Sequence, residues 1–153
     1  MSRLTLESYL PALLPSVGAT DGKGQGDLVA ALVERALSAA HPSRRAMDRR
    51  REQRFPYPHP IFLTPLETTG GRPAETISVI GKQISLYGVD FYHREPIAQR
   101  RVIASLDAGE HGWIGLILEL AWCRFSRHGW YDNGGRFLAV VDSPLEIERR
   151  TSA

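Results

Sequence analysis

Arginines concentrated in one short segment are the residues best suited to chemistry in this sequence. Six of them lie between positions 44 and 54 of the 153-residue chain. Arg50 and Arg54 are four positions apart, so their side chains share a face whether the segment is helical or extended. A guanidinium donates paired hydrogen bonds to phosphate oxygens or to the O6/N7 edge of guanine, which a lysine does not do. The pair predicts an anion site, although arginine runs are also typical of solvated linkers.

A second polar segment follows downstream and reads Gln83-Ile84-Ser85-Leu86-Tyr87-Gly88. If it is a strand, Gln83 and Ser85 project from one face and Ile84 can enter a core on the other. Gly88 then permits a tight turn or a close approach of another backbone. A strand end followed by a turn would give the same pattern, so the segment gains meaning only in combination with the arginines.

Other titratable residues give weaker predictions. The histidines are widely separated and none forms a close pair with another His or with Cys, so no metal site is expected. Nothing pairs Asp90, Asp107 or Glu110 with a nucleophile or a cleft, so we assign no catalytic residues and do not expect an enzyme. Cys123, inside an apolar run, is expected to be a buried and inert thiol.

The composition describes one ordinary globular unit. Apolar residues make up 42% of the chain, charged residues 24%, and the formal net charge is +2. A single cysteine excludes an intrachain disulfide and is consistent with a reducing compartment, so the cytoplasm is the expected location. No signal peptide or membrane span is predicted, because the most apolar window is short and contains Glu119.

The elements that must position these residues change character along the chain. Residues 1–43 are predicted to be a helical extension, with one short helix containing Leu6, Leu10 and Leu13 and a second from Leu28 to Ala40. For the second helix, Asp27 is the predicted N-cap after a Gly/Asp-rich break at 18–27, and Pro42 ends the run. Its apolar stripe should pack on the rest of the chain, or else on a second copy or a partner.

Residues 44–142 are predicted to contain the arginine arm, at 44–55, and then an all-β domain of six antiparallel strands. The predicted strands are Ile61–Leu66, Glu75–Ser85, Val89–His93, Arg101–Leu106, Trp113–Phe125 and Trp130–Val141. The last two are joined by a turn at either 126–129 or 132–135. The tryptophans and Tyr131 are expected in the core or at its rim, and residues 143–153 form a polar tail that is partly disordered or one short helical turn.

Taken together, these segments resemble the PilZ domain family, bacterial receptors for the second messenger cyclic di-GMP. In that family an RRxxxR arm precedes a D/N-x-S-x-x-G strand motif. The matching residues here are Arg49, Arg50 and Arg54 for the arm and Gln83, Ser85 and Gly88 for the strand motif. The resemblance covers roughly residues 45–142 and includes the Phe55-Pro56 pair, the Glu95-Pro96-Ile97 turn and the run ending at Phe137.

The resemblance implies a six-stranded antiparallel PilZ-type β-barrel with the helical extension in front of it. It also implies that the arginines take phosphates and guanine faces while the strand motif holds a guanine. Such a domain is a sensor, whose arm orders on binding and changes how the barrel meets a neighbouring element or partner. Cyclic di-GMP is then the expected ligand, with no other cofactor.

Gln83 departs from the family pattern, which places Asp or Asn there. A carboxylate accepts hydrogen bonds from guanine N1–H and N2–H together, whereas glutamine offers one carbonyl acceptor and an amide donor. If Gln83 holds the guanine, replacing it by Asp should tighten binding.

Three functions are therefore compared. The leading one is a cyclic di-GMP-binding regulatory module that acts on an unidentified protein partner, with a homo-oligomer also allowed. The alternative is a degenerate PilZ scaffold that mediates protein–protein interaction without nucleotide. Nucleic-acid binding through the arginine cluster ranks last, because no readout motif accompanies the charge.

Overall fold

The computed structural model describes residues 22–40, 53–66, 75–126 and 128–151. In these ranges the chain begins with one helix, α1, at Gly22–Ala40. The strands follow as β1 Phe55–Pro56, β2 Pro60–Pro65, β3 Ile77–Ile84, β4 Gly88–His93, β5 Arg101–Asp107, β6 Trp113–Phe125 and β7 Tyr131–Val141. A short 3₁₀ helix, Gly109–His111, lies between β5 and β6, and a second α-helix, α2, spans Pro144–Thr151.

The strands form one antiparallel sheet that closes on itself. Neighbouring strands pair in the order β3-β2-β5-β6-β7-β4, and β4 pairs again with β3. This last pairing joins the two ends of the sheet, so six strands make a closed barrel and no long edge is left between β3 and β4. The two-residue β1 adds to the end of β3, with Phe55 opposite Ile84. The predicted six-stranded antiparallel barrel with an N-terminal helix is confirmed.

Alternation along each strand builds the core. On β4, Val89 and Phe91 are buried at 2% and 0% exposure, while the residues between and beside them are only partly buried. On β5, Val102, Ala104 and Leu106 enter the main core, and Ile103 faces a second cluster outside the barrel. That outer cluster is shared with Ile147 of α2, so β5 is buried on both faces.

Helix α1 packs on the barrel through the stripe that the sequence predicted. Val29, Val33, Ala36 and Leu37 are buried and belong to the same cluster as the barrel core. The helix contacts β7 above all, as well as β5, β6 and the 3₁₀ helix. Leu28, where the predicted helix begins, is 54% exposed and does not belong to this buried stripe. The other predicted helix, near Leu6 to Leu13, falls outside the described residues.

The start of α1 corrects a prediction. The helix begins at Gly22, so residues 22–27 are helical and Asp27 lies inside the helix rather than at its N-cap. The glycines there cost helix stability individually, by about 1 kcal/mol each, but packing of the later turns on the barrel stabilises the helix as a whole.

The β6–β7 hairpin decides two further predictions, the position of its turn and the burial of Cys123. The turn uses 126–129, where the Gly129 N–H donates to the Ser126 carbonyl at 3.3 Å, and 132–135 lie within β7. Glu119 is the last residue of β6 that pairs with β5, so the second half of β6 extends beyond β5. Cys123 is therefore exposed, and the prediction of a buried thiol is wrong.

The C-terminal segment is more ordered than a polar tail. It forms the two-turn helix α2, whose Glu146 is only 9% exposed and accepts a hydrogen bond from the Trp113 backbone N–H at 2.9 Å. Arg149 donates to the other Glu146 oxygen at 2.8 Å. The prediction of disorder or a single turn missed this contact, which joins positions far apart in the chain.

Among the described residues, no helix is both long enough and apolar enough to cross a bilayer. The same residues contain no cluster of three or more His, Cys, Asp or Glu side chains that could hold a metal ion.

Candidate functional site

The strand motif forms the tight connection between β3 and β4. The Ser85 N–H donates to the Gly88 carbonyl at 2.9 Å. The Ser85 hydroxyl oxygen accepts from the backbone N–H groups of Tyr87 at 3.2 Å and Gly88 at 3.3 Å. The serine therefore satisfies the turn's own donors, as Ser and Thr side chains do in local turns. Its side chain is occupied by the turn in this state.

Gly88 is required by a close backbone approach. A Cβ at this position would lie 2.0 Å from the carbonyl oxygen of Gly135 on β7. The residue has no positive φ, so the reason for glycine is the space between β4 and β7 rather than the conformation of the turn. Two of the three matched strand-motif residues thus have structural roles that fix where Gln83 lies.

Gln83 lies in a row of side chains that crosses the outside of the barrel. The strand registers place Gln83 opposite Asp90, Asp90 opposite Gly134, and Gly134 opposite Trp122. A Cβ on Gly134 would meet the Trp122 ring at 2.3 Å, so the indole lies directly over the glycine. The row therefore crosses four neighbouring strands and contains an amide, a carboxylate, a glycine and an aromatic ring, in that order.

A cavity of about 220 Å³ opens along this row. Its lining combines two guanidinium groups, a carboxylate, an amide and two aromatic side chains. The lining residues are Arg54, Gln83, Ile84, Ser85, Tyr87, Gly88, Asp90, Ala121, Trp122, Gly135 and Arg136. Cationic forks beside a flat ring can take phosphate and base together.

Tyr57 fixes the position of the segment that carries Arg54. This residue is 1% exposed, and its backbone N–H donates to the Lys82 carbonyl at 3.0 Å. Burial, with a further contribution from Asp107, raises the pKa of the Tyr57 phenol to about 12. Tyr57 and the β1–β3 pairing together hold Arg54 beside the end of β3.

Arg54 forms an ion pair with Asp90. Its guanidinium Nη1 lies 3.0 Å from Asp90 Oδ2, with the arginine side chain 63% exposed and the carboxylate 13% exposed. Burial raises the pKa of Asp90, and the adjacent Arg54 and Lys82 charges partly oppose that effect while Asp132 adds to it. The carboxylate therefore occupies a place where its charge is disfavoured, which is a common property of functional positions.

Arg136 supplies the second guanidinium of the cavity. Its Nη2 donates to Glu119 Oε1 at 3.2 Å, and Arg101 donates to the other Glu119 oxygen at 3.3 Å. Burial acts to raise the pKa of Glu119, but the hydrogen bonds from these two arginines hold it below its ordinary value. Arg136 itself is 70% exposed, so its free donors face solvent at the mouth of the cavity.

A further ion pair lies beside the row, near the start of β7. Lys82 Nζ lies 3.1 Å from Asp132 Oδ2 and 5.4 Å from the centroid of the Tyr92 ring. The other carboxylate oxygen of Asp132 is buried without a hydrogen-bond partner among the described atoms. Neither residue lines the cavity.

The predicted site residues divide into two groups. Arg54, Gln83, Ser85 and Gly88 come together in the lining of one cavity, although the arm and the strand motif are distant in sequence. Arg49 and Arg50 lie outside the described residues, so their predicted role stays a prediction.

Sequence reasoning missed three residues of the cavity. Asp90 was set aside as a catalytic candidate, Trp122 was expected in the core or at its rim, and Arg136 had no assigned role. A signal for Asp90 was present: it follows Gly88 by two positions, so strand alternation puts both on the same face. Trp122 and Arg136 come from β6 and β7, and only the register brings them to β3 and β4.

Comparison with known proteins adds one structural similarity. No protein-family model and no curated protein matches the chain. The solved structure of K. pneumoniae MrkH in its apo state aligns with a TM-score of 0.39 and 17% identity, over 71% of this chain and 49% of the MrkH chain. This chain therefore spans about half of the MrkH chain, and its site has to be interpreted from its own residues. The closed six-stranded antiparallel barrel with a helix near the N-terminus fits a PilZ-type domain.

Proposed function

We propose that this chain is a PilZ-type regulatory module that binds cyclic di-GMP and transmits binding to a protein partner. The supporting observation is convergence: Arg54 from the arm and Gln83 from the strand motif line one cavity, which Arg136 completes with a second guanidinium. Phosphate oxygens and guanine edges are the partners that such forks favour. A reaction is not part of the proposal, because a PilZ-like barrel is a regulatory fold.

The ligand would meet guanidinium groups that already pair with carboxylates. Arg54 is held by Asp90, and Arg136 by Glu119, at 3.0 and 3.2 Å. The two arginine side chains are 63% and 70% exposed and each uses one guanidinium nitrogen in its pair, so the remaining N–H donors can bind a ligand phosphate while the pairs persist. Rearrangement of Arg54 would move the chain just before β1, which gives a route from the cavity to the predicted arm and its partner.

Calorimetric titration with cyclic di-GMP tests the proposal. We expect saturable binding to the unchanged protein, and a loss of about 5- to 150-fold in affinity for Arg54→Ala if its charge-assisted contact of about 1–3 kcal/mol is removed. Arg50→Ala tests the part of the arm outside the described residues in the same way. Arg35→Ala is the matched control, because Arg35 is an exposed arginine on α1 and does not line the cavity.

Two results would contradict the proposal. Absence of binding by the unchanged protein at high micromolar ligand would favour the alternative function, a ligand-free scaffold for protein–protein interaction. Equal losses in Arg54→Ala and Arg35→Ala would show that net charge, and not this cavity, attracts the ligand.

A further inference from the structure

Asp90 offers the acceptor chemistry that Gln83 lacks. The two residues are directly opposed across β3 and β4, and both line the cavity. Opposed residues of an antiparallel pair have Cβ atoms about 4.5–5.5 Å apart, so their side chains reach the same small region. Val89 and Phe91 are buried inside the barrel, which turns Asp90 outward toward the cavity.

A carboxylate is the better partner for the guanine edge. Its two oxygens accept from N1–H and N2–H together, whereas the amide of Gln83 presents one acceptor and one donor. Adenine carries no N1–H and no N2 amino group, so a carboxylate at this edge would discriminate between the two purines.

The Asp90 carboxylate is already held in place. Arg54 binds its Oδ2 at 3.0 Å, and the side chain is 13% exposed. Gly134 lies next to it on β7, and the Trp122 indole packs directly over this glycine. Asp90 and Trp122 both line the cavity, so a planar base bound there would contact the ring as well as the carboxylate.

We propose that Asp90, and not Gln83, is the residue that selects guanine in this cavity, with Arg54 orienting its carboxylate. This inference rests on the proposed function. It places the acceptor for the guanine edge on β4 instead of β3. Specificity for guanine then depends on a residue outside the matched strand motif.

A competing explanation gives the opposite prediction. If Asp90 only neutralises Arg54 while the cavity is empty, removing its charge would free the guanidinium and tighten binding. General electrostatics points the same way, because an anionic ligand is repelled by a nearby carboxylate. A loss of affinity on removing this negative charge therefore requires a direct contact.

Titration of Asp90→Asn with cyclic di-GMP and with cyclic di-AMP is the decisive experiment. Asn preserves the shape of the side chain but replaces one acceptor by a donor. We expect cyclic di-GMP affinity to fall by roughly 5- to 150-fold, the equivalent of one bidentate base contact. Preference over cyclic di-AMP should fall by a similar factor. Asp132→Asn is the matched control: it removes the same charge from a neighbouring outward carboxylate that does not line the cavity, and its affinity should be unchanged or higher.

The Gln83→Asp variant separates the two acceptors independently. If Gln83 held the guanine, Asp there would tighten binding. With Asp90 in that role, the variant places two carboxylates directly opposite each other, where like charges repel, and binding should weaken or stay the same. Tighter binding by Gln83→Asp, or unchanged or tighter binding by Asp90→Asn, would overturn the assignment of Asp90 and leave the proposed function intact. If the unchanged protein fails to bind cyclic di-GMP, both ideas fall together.

Discussion

Each polar residue of the cavity is best understood through the contact that it already makes. Ser85 bonds to its own turn, and Gly88 makes room for the Gly135 carbonyl. Their presence therefore follows from the geometry of the β3–β4 connection whether or not a ligand binds. Asp90 differs, because the fold buries most of its carboxylate and gains little from its charge. A residue such as Asp90, which the fold does not require, therefore says more about function than Ser85 or Gly88.

The raised pKa of Asp90 predicts how the free protein responds to pH. Burial raises the pKa above its value in the unfolded chain, so between the two values the folded state binds more protons than the unfolded state. Stability must then decrease as pH rises through that window. Asp90→Asn should keep or raise the free energy of unfolding at pH 7 and remove this part of the pH dependence.

Urea denaturation of the ligand-free protein between pH 4 and pH 7 measures the effect. Asp142→Asn, at an exposed carboxylate just after β7, is the control for a general change in charge. A clear loss of stability in Asp90→Asn at pH 7 would mean that the ion pair with Arg54 outweighs the cost of burial.

At the scale of the elements, the sequence predicted the strands well because short apolar or alternating runs are separated by Gly, Pro and Asp. The strand Trp113–Phe125 was predicted with both of its bounds correct. The start of α1 was predicted wrongly, since local signals favour a break at glycines while tertiary packing lets the helix continue through them. The burial of Cys123 was predicted wrongly for a related reason: an apolar run does not show that β6 extends beyond its partner β5.

The close contact between β4 and β7 predicts a large effect of one methyl group. Gly88→Ala would place a Cβ 2.0 Å from a backbone oxygen that cannot move aside. We expect a loss of about 1–3 kcal/mol or more in the free energy of unfolding, as for other overpacked sites. Gly26→Ala is the contrasting variant, because no atom lies within 4 Å of its added Cβ on α1. It should stabilise the protein by about 0.5–1 kcal/mol. Thermal or urea unfolding monitored by circular dichroism measures both changes.

Packing of α1 on the barrel gives a second prediction at this scale. Leu37 is 1% exposed and belongs to the main core, so Leu37→Ala should cost about 2–5 kcal/mol. Leu28→Ala, at a site that is 54% exposed, should change stability by less than about 0.5 kcal/mol. Similar small effects for both variants in urea titrations would show that the helix does not pack on the barrel in solution.

At the scale of the whole molecule, closure of the barrel is what creates the site. The pairing of β3 with β4, together with that of β4 with β7, brings Gln83, Asp90 and Trp122 into one row. A sequence pattern states which face a residue occupies within its own strand, but not which residue lies beside it on the next strand. The two motifs could therefore be located from the sequence, whereas the register of four strands decides which other residues join them.

The cavity is lined by the segment before β1 and by residues of β3, β4, β6 and β7. Ligand binding should therefore stabilise the molecule as one unit. A ligand that binds only the folded state adds about 2.7 kcal/mol at a hundredfold excess over Kd. For a chain of this length that corresponds to a rise in Tm of roughly 5–11 °C. Differential scanning fluorimetry with cyclic di-GMP should show the rise for the unchanged protein and for Arg35→Ala, and a smaller one at the same ligand concentration for Arg54→Ala. A rise of equal size in Arg54→Ala would place the ligand elsewhere on the barrel, since Arg54 is the guanidinium that the segment before β1 contributes to the cavity.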